Sequence, residues 1–242
     1  MRYTGTAHEI SYSATLEFFE SRGRHAQPDR PQTATMYQDG DLAARRDACE
    51  RETVLPLLAL RGDERVLDIG CGYGRWGQTL AGRVGEYVGV DFSAELLRVA
   101  DGLRLPRSRF QRMAAQDVSA AELGEPRPFD LFVCSGILIY LNDADVAKLS
   151  CASASMAAPG ARVYLRDPMA TAERLTLDRF PSAELKHDYS AIYRPPAKCR
   201  ELFGGPLRGA GFKLELERPL YPPELCNRRE TEQQIQLWRK FS

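Results

Sequence analysis

From Arg65 onward the chain alternates short apolar runs with amphipathic stretches. Arg65–Ile69 is a strand-length apolar run, and helical spacing follows over 75–82. A second strand is predicted over 87–90 and a second helix over 93–103, where Ser93 can cap it. A weakly patterned strand follows at 110–114, then a fourth over 129–134 that is apolar after Asp130. A helix over 143–157 stops at Pro159-Gly160, and a fifth strand spans 162–166. Strands separated by helices pair in parallel through right-handed crossovers, with both sheet faces covered. The pattern predicts a doubly wound α/β fold.

The flanks are less regular. A helix is predicted near 15–24, a Pro/Gln/Thr-rich link over 27–35, and a long amphipathic helix from Asp41 to about Leu60. Residues 168–200 break the rhythm and show no convincing strand. Helical spacing returns over 198–210, ended by Gly209 and Gly211, and 212–217 alternates as a strand. The segment 235–241 fits a closing strand or a short helix. The division this suggests is a helical lid segment over 1–53 and one α/β domain over 54–242, with 168–200 inserted as a second lid.

Composition narrows the function classes. With 242 residues and 43% hydrophobic content, the chain suits one domain with a full core. A net charge of +0 gives no electrostatic footprint for nucleic acid or an anionic membrane. No apolar run approaches the ~18–20 residues of a membrane span, and the polar stretch 1–13 has no signal-peptide core. Six cysteines form no CxxC pair, and three histidines offer no zinc spacing. Reduced thiols, a cytoplasmic setting and no metal are expected.

Chemistry gathers where the predicted strands end. In Val66-Leu67-Asp68-Ile69-Gly70-Cys71-Gly72-Tyr73-Gly74, a strand turns into a helix through glycines that let a ligand approach the backbone. Asp68 adds a carboxylate suited to an ammonium group. Asp91, followed by Phe92 and Ser93, ends the second strand, where a carboxylate can accept both hydroxyls of a ribose. Gln116-Asp117-Val118 follows the third strand with an acid that can accept an exocyclic amine. The fourth strand delivers Cys134, Ser135 and Gly136 to the same sheet edge, where open α/β sheets bind ligands.

These stretches, in this order, resemble the class I S-adenosylmethionine-dependent methyltransferases over roughly 54–167. The resemblance implies a Rossmann-like, mostly parallel seven-stranded sheet closed by an antiparallel strand, with S-adenosylmethionine as cofactor and S-adenosylhomocysteine as product. It implies that Asp68, Gly70, Gly72 and Gly74 cradle the methionine end, Asp91 the ribose, and Asp117 with Val118 the adenine. Cys71, Phe92, Gln116, Cys134 and Ser135 complete the expected cofactor-binding set. A dehydrogenase is the rival, since Gly72-Tyr73-Gly74-Arg75-Trp76-Gly77 also matches G-x-G-x-x-G. Against it, the turn already begins at Gly70, and Asp68 would oppose a pyrophosphate. A non-catalytic binding protein of the same fold is a further alternative.

Methyl transfer depends mainly on holding the acceptor in line with the methyl group. The acceptor site is expected from the N-terminal segment, the loop after the fourth strand and the stretch after the fifth. Tyr12, Tyr140, Arg166, Asp167 and Arg194 are the substrate-binding candidates, and His187, Tyr189 and Tyr193 the catalytic ones. His187 is a candidate base because its unperturbed pKa is near neutral. Phe18, Phe19 and Arg22 can close over the donor. No Asn-Pro-Pro-Tyr, Asp-Pro-Pro-Tyr or double-glutamate loop follows the fourth strand, which favours a small metabolite in a tailoring or secondary pathway. The acceptor atom, oxygen, nitrogen or aromatic carbon, stays open, as does monomer or homodimer.

Overall fold

The computed structural model describes residues 1–27, 40–182, 185 and 187–241. The link expected over 27–35 lies, after its first residue, outside them. The chain runs β1 (Arg2–Thr4), α1 (Tyr12–Arg24), α2 (Gly40–Leu58), β2 (Arg65–Ile69), α3 (Arg75–Leu80), β3 (Glu86–Asp91), α4 (Ala94–Gly102) and β4 (Ser108–Arg112). It continues through α5 (Ala120–Leu123), β5 (Phe129–Ser135), α6 (Asp143–Ser155), β6 (Ala157–Ala170), β7 (Leu175–Ser182) and β8 (His187–Tyr193). Last come α7 (Pro196–Leu202), α8 (Gly204–Gly209), β9 (Phe212–Pro219) and β10 (Thr231–Lys240).

Seven strands form one sheet in the order β4-β3-β2-β5-β6-β10-β9. β2, β3, β4, β5 and β6 pair in parallel, while β10 runs antiparallel to both β6 and β9. The expected fold is therefore present, with the C-terminal segment as a strand. β2 is buried along its whole length, as a central parallel strand must be. Leu67, Val88, Phe132, Val163 and Trp238 face a layer holding α6, α7 and α8. Val66, Leu131, Tyr164 and Ile235 face α2 and α3 through Val54, Leu58 and Trp76. α2 runs unbroken across residue 53, with Glu50, Val54 and Leu58 all buried.

The stretch 168–200, expected to hold no strand, is corrected by the structure. β6 continues to Ala170 because β10 pairs with it as far as Thr231. β7 and β8 then form an antiparallel hairpin, and β1 adds to its outer edge. The sequence hid this hairpin because its register shifts between Leu177 and Phe180, and Arg179 takes a positive φ of 44°. A shift of register breaks the two-residue alternation that marks a strand. The single helix expected over 198–210 is two, α7 and α8, interrupted at Phe203. Pro206, four residues after Leu202, cannot continue that helix.

α1 and the hairpin meet above the carboxyl edge of the sheet. Phe18, Phe19, Leu175, Leu177, Tyr189 and Ala191 form their shared apolar cluster, with Leu96 and Ile139 below. This roof is what turns an open sheet edge into a covered cavity.

Candidate active site

The turn after β2 is built for close approach. Gly70 and Gly72 take φ of 74° and 55°, in the left-handed region that a side chain strains. A Cβ on Gly70 would lie 2.8 Å from Ile137. The Gly70 and Cys71 N–H groups donate to the Val90 carbonyl at 2.8 and 3.0 Å, fixing the turn against β3. Asp91, at the end of β3, accepts from the Gly72 N–H on one oxygen and the Ser93 N–H on the other, each at 2.9 Å. Each carboxylate oxygen keeps a lone pair for a ligand. Burial pushes the Asp91 carboxyl up to about 6. Asp68 accepts from the Tyr87 hydroxyl at 2.5 Å, and burial pushes it up to about 7.

These residues open into a cavity beneath the roof. Of the expected cofactor set, Asp68, Gly70, Cys71, Gly72, Asp91, Phe92, Gln116 and Ser135 line it. Of the expected acceptor set, Tyr12, Tyr140, Arg166, Tyr189 and Tyr193 line it, with Phe18, Phe19 and Arg22 from α1. The Tyr140 and Tyr189 hydroxyls bond at 3.0 Å, and Arg228 donates to the Tyr193 hydroxyl at 3.2 Å. Burial holds Tyr140 and Tyr189 well above the usual phenol range, so both stay neutral. Tyr12 donates to Asp145 and accepts from the Asn142 N–H at 2.9 Å.

Other expected residues stand elsewhere, and each has a physical reason. Gly74 caps α3 at a φ of 83°, and a Cβ there would press on Ala100 and Leu103, so it serves packing. Asp117 points outward, 61% exposed, toward Lys148 at 3.7 Å. The single helical turn Ala115–Asp117 instead gives Ala115 and Gln116 to the cavity. Val118 and Cys134 are buried in the core toward α6. Asp167 and Arg194 act one step away. Asp167 accepts from the Leu138 N–H at 3.1 Å, while Arg194 donates to the Leu138 and Leu141 carbonyls and pairs with Asp143 at 2.7 Å. Together they pin the turn that carries Tyr140. His187 does not reach the cavity. It is exposed at the start of β8, its ring edge-on to Phe18 at 5.4 Å and its Nδ1 2.8 Å from the Asp188 carbonyl oxygen.

A charged network that the sequence did not reveal supports the floor. Glu50 of α2 is fully buried and accepts from Arg75 (3.0 Å), Ser135 (3.0 Å), Tyr164 (2.7 Å) and Arg166 (3.1 Å). The two guanidiniums beside it hold its carboxyl well below the usual range despite burial. Arg75 also pairs with Asp47 at 3.0 Å. Arg46, Trp76, Met113, Tyr221, Arg228 and Gln233 complete parts of the lining that sequence reasoning missed. The available signal was Arg46 and Glu50, charged residues one helical turn apart on the face that carries Val54. Among the described residues, no group of three His, Cys, Asp or Glu could hold a metal, and no helix is long and apolar enough to cross a membrane.

Residues 66–160, which hold the turn, Asp91 and β5, match a family model described as a methyltransferase domain. Over those residues the chain is similar to methyltransferase domains. Over 171 residues it is 28% identical to a ubiquinone biosynthesis O-methyltransferase of Ralstonia nicotianae, covering 60% of this chain and 69% of that one. Over 122 residues it is 28% identical to phosphoethanolamine N-methyltransferase 1 of Triticum aestivum, covering 50% of this chain and 24% of the relative's length. In structure it resembles phosphoethanolamine N-methyltransferase 1 of Haemonchus contortus, in complex with phosphoethanolamine and S-adenosylhomocysteine, with a TM-score of 0.69 at 15% identity. That likeness covers 96% of this chain and 50% of the other. It also resembles the magnesium protoporphyrin IX methyltransferase of Synechocystis with bound S-adenosylmethionine. There the TM-score is 0.63 at 16% identity, over 97% and 99% of the two chains. These likenesses place the methyltransferase domain by fold. The roof of α1 and the β7–β8 hairpin lies outside residues 66–160, which the family model matches.

Proposed function

We propose that this chain transfers a methyl group from S-adenosylmethionine to a small-molecule metabolite in a tailoring pathway. One observation carries the reading: a single covered cavity joins the Gly70–Gly72 turn and Asp91 at one end to the Tyr140–Tyr189 pair at the other. The residues fit the donor. Asp91 offers acceptors to a ribose diol, and Asp68 offers a buried carboxylate to a cationic amino acid end. Gln116 and Phe92 flank the adenine side. When bound, the donor supplies an electrophilic methyl group that needs no further activation. The relatives named above act, by their names, on small molecules.

The chain's own part in catalysis is placement and exclusion of water. Tyr140 and Tyr189, held neutral, orient the acceptor through their hydroxyls. Asp167 and Arg194 are positioning residues for the loop that bears Tyr140. His187 is not assigned a proton transfer, since it stands outside the cavity. The acceptor presents an oxygen, nitrogen or electron-rich carbon nucleophile. Six free cysteines fit a reducing cytoplasm, and the enzyme works as a monomer or homodimer without nucleic acid or membrane.

The test is release of S-adenosylhomocysteine from S-adenosylmethionine against a metabolite panel. Donor binding with turnover on at least one acceptor supports the reading. Donor binding without turnover on any acceptor would make it a non-catalytic binding protein.

A further inference from the structure

The roof helix α1 is tied down at both ends, by different means. At its start the Ile10 N–H donates to the Asn142 side-chain oxygen at 2.9 Å, and the Asn142 side-chain nitrogen donates back to the Ile10 carbonyl at 3.2 Å. The Tyr12 hydroxyl accepts from the Asn142 N–H at 2.9 Å and donates to Asp145. Ile10 and Asn142 are both buried, so this end is anchored in the interior.

At the other end Glu20 reaches across to α4. A helix start leaves four N–H groups without partners inside the helix, and at α4 each of the four has one. The Ser93 N–H donates to Asp91 at 2.9 Å, and the Leu96 N–H to the Ser93 hydroxyl at 3.2 Å. The Ala94 and Glu95 N–H groups donate to the two carboxylate oxygens of Glu20, at 2.8 and 3.3 Å. The helix dipole favours a carboxylate at this place. One helix start is therefore shared between Asp91, on the floor of the cavity, and Glu20, which belongs to the roof.

Packing repeats the contact one turn further along α1. A Cβ on Gly23 would lie 2.6 Å from the Glu95 Cβ and 2.9 Å from the Leu96 nitrogen, so the two helices meet there backbone to backbone. Glycine weakens a helix interior, and this close approach is what Gly23 provides. Between the two ends the Phe19 ring lies 6.0 Å from Phe92, the neighbour of Asp91, and 5.0 Å from Tyr140. Phe18, Phe19 and Arg22 line the cavity, whereas Glu20 and Gly23 do not.

We propose that Glu20 is a positioning residue: it latches the C-terminal half of α1 onto α4 and so sets how long the donor stays bound. This rests on the methyltransferase reading and adds a control to its donor site. The roof pivots on the buried Ile10–Asn142 end, and the donor passes between α1 and α4 when Glu20 lets go. A ribose on Asp91 and the latch on Glu20 order the same helix start, so each strengthens the other.

The experiment uses the full chain, with hydrogen exchange on the ligand-free protein and stopped-flow kinetics of S-adenosylhomocysteine. In Glu20→Ala the amides of α1 and of Ala94 and Glu95 exchange roughly tenfold faster than in wild type, the change expected for a lost helix cap. Those of β2 and β3 do not change. S-adenosylhomocysteine leaves this variant roughly tenfold faster on the same ground. It enters no more slowly, because a roof that opens more often admits as well as releases. Glu20→Gln, which keeps one accepting oxygen, falls between the two. Gly23→Ala keeps the carboxylate but forces the helices apart, and it speeds the same exchange and the same release. Equal α1 exchange in Glu20→Ala and wild type, exchange that quickens uniformly over the whole chain, or weaker binding caused by slower entry would each overturn the proposal. If the wild type binds no S-adenosylhomocysteine, the methyltransferase reading falls, and exchange at α1 alone then upholds or overturns the latch.

Discussion

Asp91 accepts backbone N–H groups on both oxygens and still faces the cavity. Asp91→Ala is expected to weaken S-adenosylhomocysteine binding by roughly 1–3 kcal/mol, the range for lost hydrogen bonds to a charged group. Calorimetry on the folded variant checks it, and an unchanged affinity would remove the ribose assignment. His187 gives the opposite expectation. It is exposed and outside the cavity, so His187→Ala keeps the turnover rate within about twofold, whereas loss of a general base costs ~10²-fold or more. A single-turnover measurement separates the two. At this scale the sequence brought the Gly70–Gly72 turn and Asp91 to the strand ends that line the cavity, because a glycine run and a strand-end acid keep their meaning locally. Of Gln116 and Asp117, both expected at the site, the helical turn Ala115–Asp117 gives Gln116 to the cavity and turns Asp117 to Lys148. No periodicity in three residues could reveal that.

Elements were legible where their pattern is long and local. β2, β3, β5 and α4 stand where alternating apolar and amphipathic runs put them. The β7–β8 hairpin was not, because its register shift breaks alternation and its outer partner β1 lies at the far end of the chain. The break between α7 and α8 has a testable counterpart. A Cβ on Gly204 would lie 2.4 Å from the Trp238 ring, which β10 buries in the core. Gly204→Ala is expected to destabilise the fold by about 1–3 kcal/mol, the usual cost of overpacking. Urea denaturation measures it, and a stability equal to wild type would show that the ring shifts freely.

Over the whole molecule, the strand order decides what the cavity contains. β10 inserts between β6 and β9, which brings Gln233 beside Arg166 and the preceding segment, with Tyr221 and Arg228, over the site. Sequence order alone does not reveal such neighbours, so this wall was unreadable. The buried acids also give the molecule a pH signature. Burial lifts Asp68 to about 7, Asp91 to about 6 and Asp167 to about 7. Each binds its proton more tightly folded than unfolded, so their contribution is fully present below about pH 4 and lost as pH rises through 6–7. Glu50 and Asp143, held low by their arginines, contribute in the opposite sense and lose that contribution in acid. The melting temperature of the ligand-free protein is therefore expected to fall between about pH 5 and pH 8. Saturating S-adenosylhomocysteine is expected to make that fall shallower if, as proposed, its ammonium pairs with Asp68 and holds that carboxyl ionised. A rise over the same interval would contradict these assignments.

The central claim is that the Gly70–Gly72 turn and Asp91 hold S-adenosylmethionine rather than a dinucleotide. Paired calorimetric titrations of the wild-type chain with S-adenosylhomocysteine and with NADH test it most directly. Saturable one-to-one binding of S-adenosylhomocysteine and none of NADH is expected. Binding of NADH with no binding of S-adenosylhomocysteine would contradict it.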